Sequence, residues 1–134
     1  MDLDLKTANE SEKPILSVQF DGVLHDYEGK LWRMATRVVL GPPVPGSFTF
    51  LEKALDFFTV CVIGERNNDP LARRALWRWF KRHGWPIEHR RPAKLLFPVV
   101  MPESFLVIHD RCFRFEGKFP EPDLLTRFTS WKGS

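Results

Sequence analysis

The stretch "ILSVQFDGVLH", residues 15 to 25, decides how the chain is read. Ile15 to Phe20 is an apolar run bounded by Pro14 and by Asp21-Gly22, which predicts a short buried strand ending in a carboxylate. Side chains alternate across a strand, so Gln19, two residues before Asp21, shares its face. A strand end of this kind often opens an α/β site, and here an amide stands beside the single acid.

Outward from that strand, Thr59 to Ile63 (TVCVI) predicts a second buried strand, ending in the polar loop Gly64-Glu65-Arg66-Asn67-Asn68. Ser104 to Ile108 (SFLVI) predicts a third, ending in His109-Asp110-Arg111, and Leu96-Phe97 a short fourth. Between the first two strands, Phe48, Leu51, Ala54, Leu55 and Phe58 recur at helical spacing from Ser47. After the second, Asp69-Pro70 reads as an N-cap followed by proline at the first helical position, and Gly84 as the helix stop. Leu71, Ala75, Leu76, Trp79 and Phe80 form its expected core stripe. Gly41 to Gly46 (GPPVPG) is rigid punctuation, Trp32 to Leu40 a possible hairpin arm, and Pro122 to Phe128 a short tail helix. Short apolar strands alternating with helices favour a mainly parallel sheet. Its functional groups gather at strand C-terminal ends, so Asp21, Gly64-Glu65-Arg66 and His109-Asp110 are expected to converge.

The bulk numbers fit this. The chain of 134 residues is 43% hydrophobic and 13% aromatic, enough for one packed domain. It divides into a polar leader over residues 1–13 and a single domain over 14–134. No apolar run is long enough for a membrane span, and the N-terminus lacks an apolar signal core, so a cytoplasmic protein is expected. Cys61 and Cys112 both fall in apolar runs and read as buried free thiols.

The net charge of +3 is unevenly spread. Residues 71 to 94 hold eight Lys or Arg against one acid, Glu88, so +7 is concentrated there and −4 is left elsewhere. Arg73, Arg74, Trp77, Arg78, Lys81 and Arg82 point outward from the helix if the core stripe is correct, and Trp85 follows it. This face has two readings, a solvated cationic surface or a recognition surface. Arg and aromatic residues are preferred at protein interfaces, so a protein partner is favoured, with nucleic acid as the alternative.

Several ordered segments carry a resemblance. "QFDGVLH" at 19–25, "GPPVPG" at 41–46, "RNN" at 66–68 and "FPVVMPESFLVIHDRCFRFEGKFP" at 97–120 together resemble the haloacid dehalogenase-like superfamily. They are most similar to its small capless phosphatase-like subgroup, common in phages and bacteria. The resemblance spans roughly Ile15 to Pro120. It implies an α/β three-layer sandwich with a mainly parallel, Rossmann-type sheet and no cap domain.

It also implies phosphoryl chemistry. In that family a first aspartate attacks phosphorus and a second, two residues on, is the general acid and base. A Ser or Thr after the second strand and a later Lys hold the phosphoryl oxygens, and acids after the last strand complete a Mg²⁺ site. Here Gln19 stands at the nucleophile position, Gly64 at the hydroxyl, Met101 at the lysine and His109 at one metal acid. Lys94 is out of register for the lysine role. Asp21 and Asp110 remain as the weak metal pair, so no cofactor is expected unless Mg²⁺ still binds there. The resemblance with these losses implies a pseudoenzyme that binds a macromolecule. If its relatives are phage proteins, that partner is a host factor it modulates or inhibits. The alternative is residual Mg²⁺-dependent phosphatase activity, or binding of a phosphorylated ligand, through Asp21 and Asp110. Three smaller readings complete the set: Asp21 as a cap on backbone N–H groups of its loop, His25 and His109 with the two aspartates as a transition-metal cluster, and Glu65 as a base.

Overall fold

The computed structural model describes residues 13–27 and 36–131. The expected leader through residue 12 and residues 32–35 of the expected hairpin arm lie outside the described residues; the rest of that arm, 36–40, is turn and irregular chain with no strand. The protein is α/β, built on a three-stranded parallel sheet in the order β2-β1-β5. Strand β1 (Ile15–Gln19) is central, with β2 (Thr59–Ile63) on one side and β5 (Leu106–Ile108) on the other. Register pairs Leu16 with Val60 and Val18 with Val62, so the four apolar side chains share one face.

Helix α1 (Ser47–Ala54) and helix α2 (Pro70–Arg82) pack into the cluster on that face. Phe48 of α1 stacks on Phe80 of α2, with centroids 5.5 Å apart, and meets Trp79 edge-on at 5.7 Å. Helix α2 begins as its sequence dictates. Asp69 accepts the Leu71 N–H at 3.1 Å, Pro70 takes the first position, and Gly84 follows the end at φ 98°. A two-residue hairpin, β3 (Ile87–Glu88) and β4 (Arg91–Pro92), then lies against α2. A short helix, α3 (Pro122–Leu125), closes the tail three residues earlier than its sequence pattern indicates. The expected strand at Leu96-Phe97 reduces to one parallel bridge, Leu96 to Cys61 on the outer edge of β2.

Three burial expectations are corrected. Leu71 is exposed, because it sits in the first turn of α2 beyond the reach of the sheet; Ala75, Leu76, Trp79 and Phe80 carry the stripe without it. Strand β5 is an edge strand and not a buried one: Phe105 is 73% exposed and Leu106 half so. Cys112 is also exposed, on the irregular segment after β5, while Cys61 is buried; both are free. No helix among the described residues is long and apolar enough to cross a membrane.

Candidate functional site

The three strand ends converge, and Arg66 decides what they form. Beyond Phe20, Gly22 takes φ 95° and the chain folds back so that the Phe20 carbonyl accepts the N–H groups of Leu24 and His25. This tight return places the His25 ring over Phe20, stacked at 5.0 Å, with its Nδ1 on Asp21. From the neighbouring strand a single 3-10 turn, Glu65–Asn68, swings Arg66 inward across the same edge.

The Asp21 carboxylate is fully engaged there. Arg66 Nε donates to Oδ2 at 2.8 Å and Nη2 to Oδ1 at 3.2 Å, the two-pronged geometry that makes Arg–carboxylate pairs strong. His25 Nδ1 is 2.8 Å from Oδ1. His25 Nε2 accepts the Gly41 N–H at 3.1 Å, which places the ring proton on Nδ1 and makes it the donor to Asp21. The remaining arm of Arg66, Nη1, donates to the carbonyls of Thr36 and Val38. Arg66 is 1% exposed and Asp21 7%, so the network is closed to solvent. Burial alone would push the Asp21 carboxyl up; the His25 and Arg66 hydrogen bonds and the Arg66 charge outweigh it and hold the group below the ordinary carboxylate value.

This corrects two readings of the sequence. Asp21 is held by side chains, where a cap on nearby backbone N–H groups was expected. His25 cannot join a metal cluster, because both its ring nitrogens are committed. Among the described residues no group of three or more His, Cys, Asp or Glu is placed to hold a metal ion. The donors left for Mg²⁺ do not fit: each Asp21 oxygen already faces a cationic or ring donor, and Gln19 Oε1 accepts the Asp110 N–H at 3.3 Å.

Asp110 is the exception at this edge. Its carboxylate packs against Gly22, where any methyl would strike it, and is 2% exposed. Neither oxygen has a hydrogen-bond partner. His109 Nδ1 lies 3.6 Å from Oδ1 but already accepts the Arg111 N–H at 3.0 Å. From outside, the Trp131 indole donates to the Gly22 carbonyl at 2.7 Å, so the tail crosses the strand end.

Gly64, Glu65 and Met101 are exposed, and Lys94 lines a separate concavity with Lys13 and Glu52. Gly64 adopts φ 149°, ψ 164°, a conformation that L side chains rarely take. Its surroundings are open, so only the backbone opposes a hydroxyl-bearing residue there.

The basic face divides. Arg74, Arg78 and Lys81 are outward as expected, and Arg82 is exposed with Nη2 on the Val39 carbonyl. Trp85 is buried, its Nε1 donating to the Ala93 carbonyl at 2.9 Å, and is no surface anchor. Trp77 is half-buried on Phe97, with the Arg73 and Arg91 guanidiniums lying over its ring. Both tryptophans turn inward because the hairpin folds back onto α2.

Arg66 and Asn67 are the two site residues that sequence reasoning left without a role. Asn67 Nδ2 ties the Val62 carbonyl to that of Pro98, at 2.8 and 2.9 Å. The available signal was position: parallel pairing of Gln19 with Ile63 sets the residues just after the two strands side by side, one an acid and one an arginine. No family model matches the chain, and no curated protein or solved structure matches it either.

Proposed function

We propose that the chain is a haloacid dehalogenase-like, capless α/β domain that has given up catalysis and serves as a binding protein for a macromolecule, most simply another protein. A phage-encoded modulator of a host factor fits this reading. The observation that supports it is the closed Asp21–Arg66–His25 network. A general acid must release and recover a proton at an accessible oxygen, and a Mg²⁺ ligand must offer a free lone pair. Asp21 can do neither while Arg66 spans both its oxygens. Gln19 offers no nucleophile, and Gly64 offers no hydroxyl.

One observation favours the second reading, a residual phosphorylated-ligand or Mg²⁺ site: the unpartnered, buried carboxylate of Asp110. A Mg²⁺-dependent assay over a broad phosphomonoester panel separates the two. We expect no turnover above background from the protein or from Gln19→Asp. Each missing donor at such a site is worth about 10²–10³ in rate, so restoring one group does not restore the reaction. Turnover in the unmodified protein that disappears in Asp110→Asn would overturn the proposal. That substitution keeps the side chain's size and breaks no hydrogen bond made by the carboxylate, so it does not threaten the fold.

A further inference from the structure

We infer that the groove between α2 and the β3–β4 hairpin is the docking site and that its occupant is an acidic peptide segment carrying apolar residues between its carboxylates; this rests on the binding-protein reading above. The groove encloses about 590 Å³. One wall is Arg74, Arg78 and Lys81, spaced so that they project from a single helix face. The other is His89, Arg90 and Arg91 from the hairpin, and Trp77 and Ile87 supply apolar surface between them. Among the described residues no carboxylate lines it. Among the described residues the side chains of Arg74, Arg78, Lys81 and Arg90 have no hydrogen-bond or ion-pair partner. Cations held around a concavity without counter-charge create a strongly positive field that selects an anionic partner.

Two features choose the class of anion. Binding of single-stranded nucleic acid relies on aromatic faces open to stacking. The one indole among the described lining residues, Trp77, has the guanidiniums of Arg73 and Arg91 over it, at 5.8 and 5.6 Å, and its edge on Phe97, which leaves the His89 imidazole at the hairpin tip as the single ring open to a base. What remains is a set of guanidiniums suited to carboxylates beside an apolar patch at Ile87, which matches alternating acidic and apolar side chains.

The hairpin tip adds an independent argument. His89 and Arg90 both have positive φ, 54° and 69°. Such two-residue turns ordinarily carry Asn-Gly, which adopt this conformation with little strain. Here the strained pair instead extends two basic side chains into the groove wall. Backbone strain of this kind clusters at ligand-binding sites, although Lys94, outside the groove, shares it at φ 65°.

The full chain is titrated, by fluorescence anisotropy at low and at physiological salt, with three labelled probes: a peptide of Glu-Glu-Leu repeats, its Gln-Gln-Leu analogue, and an oligothymidylate of equal charge. We expect the acidic peptide alone to bind, more weakly as salt rises, and to lose about tenfold in affinity with Arg78→Glu. The turn variant His89→Asn/Arg90→Gly should melt several degrees higher yet bind the peptide more weakly, which separates recognition from folding. Peptide binding that ignores Arg78→Glu overturns the groove. Tighter binding of the oligothymidylate overturns the occupant and leaves the binding-protein reading standing. Failure of every probe overturns the groove and its occupant, while the binding-protein reading stands or falls on the phosphomonoester assay.

Discussion

Arg66→Met will lose about 3–5 kcal/mol of folding stability in urea denaturation, and Asp21→Asn a similar amount. Each leaves its partner's charge buried and unpaired, which is the expensive way to break an internal ion pair. Arg66→Met also strands the Thr36 and Val38 carbonyls, and Asp21→Asn weakens the acceptor of the His25 ring proton. A domain of this size has roughly 5–15 kcal/mol in total, so either variant stands near its threshold at physiological temperature. The double variant should cost less than the sum of the two singles, because the second substitution removes the charge that the first left stranded. The Asp21 contribution also carries a pH signature. Its folded-state carboxyl is lowered, so the stabilisation is complete above the unfolded value of about 4 and disappears as pH falls through the lower folded value. The gap between the unmodified protein and Asp21→Asn should therefore narrow in acid. Single variants that each cost under about 1 kcal/mol, with additive effects, would refute the network.

Trp79→Ala is the second large effect, about 3–5 kcal/mol. Trp79 is fully buried and its ring meets Phe20, Phe48, Phe80 and His25. Its Nε1 donates to the Gly41 carbonyl at 2.7 Å, while the Gly41 N–H is taken by His25. The indole thus links α2 to the proline-rich segment and, through His25, to the acid at the end of β1. Trp79→Phe keeps much of the ring packing and removes the hydrogen bond, so it should cost noticeably less than Trp79→Ala. Equal losses for Phe and Ala in thermal or urea unfolding would mean that the Gly41 bond, and not the ring, carries the effect.

How much of this was legible varies with the range of the interactions. Strands β1 and β2 and helix α2 were readable because their signals are local: apolar runs, β-branched residues, an Asp-Pro start and a Gly stop. Convergence of the strand ends followed from parallel topology. The burial of Trp85 and the inward turn of Trp77 did not, because they depend on a hairpin only two residues long in each strand, too short to leave a periodic pattern. Strand β5 misled because SFLVI has the composition of an interior strand, while its exposure depends on what packs beside it; β2, at the other edge, is covered by the Leu96 segment. Arg66 was expected at this edge, but its pairing with Asp21 was not foreseen. Its importance lies in whom it meets, and Asp21 is 45 residues away.

Gly64 gives the site a direction in time. With φ at 149° the backbone has settled into a shape that serves glycine and penalises its replacements. A descendant acquiring serine there by one substitution would bear about 1–3 kcal/mol of strain before any hydroxyl could assist a reaction. A hydroxyl at this position is therefore gained only at a cost in stability. The turn after β2 thus acts as a filter that holds position 64 to glycine, whatever the rest of this edge is used for.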